Sequence, residues 1–66
     1  MQLYDVKSAA RILCISPWTV RAYVRQGKLR PVRLGRRVLF EELELARFIA
    51  ENRDTGNVPA VAVEAQ

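Results

Sequence analysis

Five arginines carry the chemistry available to this chain of 66 residues: Arg21, Arg25, Arg33, Arg36 and Arg37. A guanidinium stays charged at physiological pH and presents its donors in a rigid planar fork. That fork fits a phosphate, or the major-groove edge of guanine, through two parallel hydrogen bonds. No aspartate or glutamate lies between residues 16 and 40 to balance these charges. Residues 1–40 hold nine of the eleven Lys and Arg against Asp5 alone, whereas residues 41–66 hold Arg47 and Arg53 against six acids. The formal net charge of +4 therefore understates the local field. Positive charge confined to one region points to a polyanion, with nucleic acid as the leading partner.

Other chemistries lack their residues. There is no histidine and Cys14 is the only cysteine, which argues against a zinc site and leaves no internal disulfide. Cys14 is expected to pack rather than react, in a reducing, cytoplasmic setting. The glutamates that could do acid/base work gather at Glu41, Glu42 and Glu44, where a role at a helix start explains them. There is no glycine-rich phosphate loop and no internal repeat. The reading is therefore no enzyme, no cofactor and no metal. No apolar run approaches the ~20 residues that cross a membrane, and no secretory signal is evident.

The arginines need elements to position them. Asp5 can cap a first helix over about residues 6–13, with Val6, Ala9, Ala10 and Leu13 inward and Lys7, Ser8 and Arg11 outward. Cys14 and Ile15 make a tight turn, Ile15 plugging the core beneath it. A second helix spans about residues 17–26. Ser16 caps it, Pro17 suits its first position, and Gly27 can end it in the left-handed conformation. Val20, Tyr23, Val24 and Gly27 share one side, and Trp18, Arg21, Ala22 and Arg25 share the other. Two short helices joined by so brief a turn form a helix-turn-helix.

The period then changes to two. Residues 31–34 and 37–40 alternate around Gly35-Arg36, which predicts a two-stranded wing with Arg33, Arg36 and Arg37 at or beside its tip. A third helix over about residues 42–52 turns Leu45, Phe48, Ile49 and Asn52 to one face and leaves Leu43 off it. Residues 54–66 read as a flexible C-terminal tail, or alternatively as an arm that pairs with a strand edge of another copy. The fold class is mainly α with a small β-hairpin. It is a winged helix-turn-helix of three helices and a two-stranded wing, in one domain over residues 1–53.

Three segments, LYDVKSAARIL, CISPWTVRAYVRQGKLRPVRLGRRVLF and EELELARFIAEN, together cover residues 3–52. In this order they resemble the small winged helix-turn-helix domains of phage and plasmid excisionases, relatives of the DNA-binding domain of mercury-resistance-type (MerR-type) regulators. The resemblance rests on the Ala-Ala first helix, Ser-x-x-Thr-Val-Arg opening the second, Gly-Lys-Leu closing it, Arg-x-Gly-Arg-Arg at the wing and an aromatic before the last helix. It implies that the second helix enters the major groove of double-stranded DNA, with Ser16, Trp18, Thr19, Arg21, Ala22 and Arg25 facing it. The wing would bring Arg33, Arg36 and Arg37 to an adjacent minor groove or its phosphates.

The same resemblance implies an architectural role in a bacterial host cell, at the nucleoid. Several copies would bind neighbouring repeats cooperatively, bend the DNA and direct a phage integrase toward excision. Two features depart from the pattern. Ser8 stands where the family usually has glutamate, which removes a capping-box partner for Asp5. Trp18 is bulky for an exposed position, and either packs on the sugar–phosphate backbone or a thymine methyl, or lies over the turn as core. MerR-type regulators continue into a long dimerisation helix and an effector domain. Only weakly patterned residues follow the third helix here, so effector sensing is not expected. A small transcriptional repressor of the same fold is one alternative, and a basic module for an acidic protein partner is another.

Overall fold

Asp5 and Ser16 start the two helices on which the arginines depend. In the computed structural model, which describes residues 2–54, the Asp5 carboxylate accepts from the Ser8 N–H at 2.8 Å and opens α1 (Val6–Leu13). The hydrogen bonds from Ser8 hold the Asp5 carboxyl below its ordinary pKa. The Ser16 hydroxyl accepts from the Thr19 N–H at 3.0 Å and opens α2 (Pro17–Arg25), with Pro17 in the first turn.

Both helices end in the same way. Cys14 is left-handed (φ 60°), and the N–H groups of Cys14 and Ile15 return to the carbonyls of Arg11 and Ala10 at 3.2 and 3.0 Å. Gly27 is left-handed (φ 77°), and the N–H groups of Gly27 and Lys28 return to Val24 and Tyr23 at 3.1 and 2.9 Å. These are Schellman closures, which satisfy the last carbonyls and turn the chain sharply. Cys14 was expected to pack, yet it is exposed. The left-handed turn takes its side chain out to solvent while Ile15 stays against the core.

The wing is β2 (Val32–Leu34) and β3 (Arg37–Glu41), paired with Leu34 opposite Arg37 across the two-residue turn Gly35-Arg36. Gly35 has φ +63° and Arg36 does not join it at positive φ, the pattern of a type II′ turn. The expected two-stranded hairpin gains a third strand. β1 (Leu3–Asp5) pairs antiparallel with the far edge of β3, giving the order β1-β3-β2. Three residues are too few to show a period, and their hydrogen bonds come from a distant segment. A sheet edge thus runs directly into the cap of α1.

The core sits where the sheet, α1, α2 and α3 (Glu42–Glu51) meet. Ala9, Ala10, Val20, Leu29, Phe40 and Leu45 form it, with Tyr4, Val6, Tyr23, Val38 and Phe48 packed around them. The two alanines let α1 approach α2 closely. The Tyr23 and Phe48 rings pack at 5.4 Å, tilted by 41°, and so fasten α2 to α3. Leu43 is exposed, as its position off the inner face predicts, but Ile49 is also exposed although it was placed on that face. Asn52 closes the helix through its side-chain amide, which donates to the Phe48 carbonyl at 2.8 Å.

Glu44 does more than favour a helix start. Its carboxylate accepts from Arg47 Nε and from the Arg30 N–H, each at 2.9 Å, and Arg47 also donates to the Lys28 carbonyl at 3.1 Å. Arg47 further pairs with Glu51 at 2.6 Å. This clamp ties the segment after α2 to α3. The hydrogen bonds from Arg47, and then from the Arg30 N–H, lower the Glu44 pKa from its ordinary 4.5. A depressed carboxyl contributes stability that is fully present above its unfolded pKa and is lost as pH falls through the folded one. Glu44→Gln is expected to lower the melting midpoint at pH 7 by roughly 4–8 °C, the equivalent of about 1 kcal/mol in a domain this small. It should also flatten the decline in midpoint between pH 5 and pH 3, read by circular dichroism melts. An unchanged acid slope would remove Glu44 as its source.

Candidate nucleic-acid interface

Trp18, Arg21 and Arg25 stand on the solvent side of α2. Trp18 is 70% exposed, so it does not lie over the turn as core. Ala22 was grouped with this face, but it is only 8% exposed. A methyl ends at Cβ, short of the surface that the tryptophan and arginines reach, and Ala22 belongs to the packing. Ser16 is exposed and Thr19 half-buried, their hydroxyls joined at 2.9 Å. Both are committed first to starting the helix.

The wing lies beside α2, and a cleft of about 200 Å³ separates them. Val20, Val24 and Val38 contribute its apolar lining, and Arg21, Arg25 and Arg33 its cations. A second cleft of about 390 Å³ opens toward α1, where Arg21 is joined by Lys7 and Arg36, with Asp5 as the one acid. Arg21 lines both clefts. α2, the wing and the start of α1 therefore share one cationic surface.

The structure brings together Arg21, Arg25, Arg33 and Arg36 and separates Arg37 from them. In the ladder Arg33 pairs with Val38 and shares its face of the ribbon, whereas Arg37 pairs with Leu34 on the opposite face. Arg37 is close enough to Asp5 to help lower its pKa. Lys7 is the cation that sequence reasoning left out. As one more outward residue of α1 it carries no signal, and its place beside Arg36 follows from β1 pairing with β3. Lys28 lies over the Tyr23 ring at 5.4 Å from its centre.

Among the described residues, the ion pairs are those of Arg47 with Glu44 and Glu51. Among the described residues, the cations of α2 and the wing form no salt bridge, and Asp5, beside Arg37, is the one acid lining their clefts. No group of His, Cys, Asp and Glu among the described residues is placed to hold a metal ion. No described helix is long and apolar enough to cross a membrane.

A helix-turn-helix whose second helix and adjoining ribbon present one cationic surface is a winged DNA-binding module. Residues 3–53 match the model of a family described as a helix-turn-helix domain, and the chain belongs to that family. No curated protein and no solved structure matches it.

Proposed function

We propose that this chain is a sequence-specific architectural DNA-binding protein of the excisionase kind. Copies bind neighbouring repeats, bend the DNA and direct a phage integrase toward excision. In this reading α2 lies in the major groove, with Trp18, Thr19, Arg21 and Arg25 toward bases and backbone. The tip of the wing enters the adjacent minor groove or meets its phosphates, with Arg36 at the turn and Arg33 and Arg37 on the two faces of the ribbon, and Lys7 adds a backbone contact beside Arg36.

One observation supports the reading: Arg21 of α2 lines both clefts, one with Arg25 and Arg33 and the other with Lys7 and Arg36, so helix and wing offer their cations side by side. The family it sits in is found in excisionase-like DNA-binding proteins. A single module of this size makes a small interface and holds one short site weakly. Occupancy of adjacent repeats supplies the missing affinity through effective concentration.

Footprinting across a phage attachment region tests the proposal, with protein titrated over several concentrations beside an integrase assay. Protection of several adjacent repeats over a narrow concentration range, with a shift of integrase products toward excision, is the expected outcome. One independently filled site with unchanged products would overturn it and leave a simple repressor. Arg36→Ala is expected to reduce the slope of log affinity against log salt by about one, measured by fluorescence anisotropy. An unaltered slope would take Arg36 out of the interface.

A further inference from the structure

Leu34 ends β2 and is 52% exposed, more than any other large apolar side chain of the sheet. Across the ladder it faces Arg37, so the two leave the same side of the ribbon. Gly35 and Arg36 close the turn directly after it, and Arg33 precedes it on the other side. Gly35 adds no side chain, so the tip is slim, and Leu34 is its one apolar group among three arginines.

Although the half-buried Val32 and Leu39 share its face of the ribbon, the core does not hold that leucine. It is outside the core cluster, whereas Val38 and Phe40 on the other face of the ribbon belong to it or pack against it. At a ribbon tip whose task was only to carry charge, a polar residue would serve better in water. A branched apolar group in water is relieved by burial in whatever the tip binds. For a basic tip on DNA that burial site is the stacked interior between base pairs, which lies between the two rails of phosphate. Minor-groove proteins combine these same two parts, cations for the rails and an apolar wedge for the stack.

We propose that Leu34 is a wedge. Arg36 and Arg37 hold the phosphates on either side of the minor groove, and the Leu34 isobutyl group enters between two base pairs and partly unstacks them. The step it selects is a pyrimidine–purine step, which opens most readily. The wing then reads deformability at a position beside the major-groove site of α2. This inference rests on the DNA-binding reading of the wing.

The test uses the full chain and duplexes carrying a repeat recovered by footprinting. 2-Aminopurine is placed in turn at each step next to the α2 site. Wild-type protein at saturation is expected to raise the fluorescence several-fold at one step. Leu34→Ala should bind about three- to tenfold more weakly and, at saturation, give no rise. Leu34→Met, which keeps an apolar end, should restore most of it. Arg36→Ala should bind more weakly yet retain the rise once saturated. Circular dichroism melts should match wild type for Leu34→Ala, since half of the side chain is already in water. An undiminished rise with Leu34→Ala, or no responsive step with wild type, would overturn the wedge while leaving DNA binding in place. A loss confined to cooperativity between copies would overturn it in favour of a protein contact. Absence of any complex with wild type would overturn the DNA reading and the wedge with it.

Discussion

Arg21→Ala is expected to weaken DNA binding by about ten- to a hundredfold at fixed salt, the largest loss from any one surface residue. Arg21 is exposed and lines both clefts, so its removal takes a cation from each of them at once. A bidentate arginine–guanine contact contributes about 1–3 kcal/mol of discrimination, which alone spans most of that range. Arg21→Lys sharpens the test. It keeps the charge but loses the fork, so affinity for a scrambled duplex should hold while preference for the cognate repeat falls. Trp18, exposed one turn earlier on the same side, offers an intrinsic fluorescence signal for the titration. An Arg21→Ala protein that binds within twofold of wild type would show that the two clefts do not act together on DNA.

Local signals in the sequence were enough to place most of this surface. Asp5, Ser16, Pro17, Gly27 and Gly35 act within a turn of where they stand, through caps, a fixed φ or a left-handed backbone. For that reason α1 matches its expected bounds and α2 differs only at its last residue. What the sequence left hidden depends on contacts made at long range. Residues 3–5 become a strand only because β3 is there to pair with, and Lys7 joins the site only as a consequence. Ala22 and Ile49 were misplaced for a related reason. Helical spacing gives an angle around an axis, but burial depends on which neighbours close over that angle and how far the side chain reaches. Arg33 and Arg37 appeared equivalent at the wing tip until the register put them on opposite faces.

Phe40→Ala is expected to unfold most of the protein at 37 °C. Phe40 is fully buried and the largest side chain in the core. It lies on β3, the central strand, opposite Tyr4 of β1, in a cluster that holds Ala9 and Ala10 of α1 and Leu45 of α3. A buried Phe→Ala change costs about 3–5 kcal/mol. A folded unit of this size, at ~0.05–0.15 kcal/mol per residue, holds roughly 3–8 kcal/mol in all. The loss is therefore comparable to the whole stability. Urea titration followed by circular dichroism measures it; Trp18 emission is a poor probe of unfolding because its ring is already in water. Saturating DNA returns only part of the loss, since ligand at a hundred times its dissociation constant adds about 2.7 kcal/mol. Phe40→Ala should thus lose DNA binding together with its helical signal, whereas Arg21→Ala should lose binding with that signal intact. A Phe40→Ala protein with an unchanged urea midpoint would mean that β3 does not hold the wing against the helices.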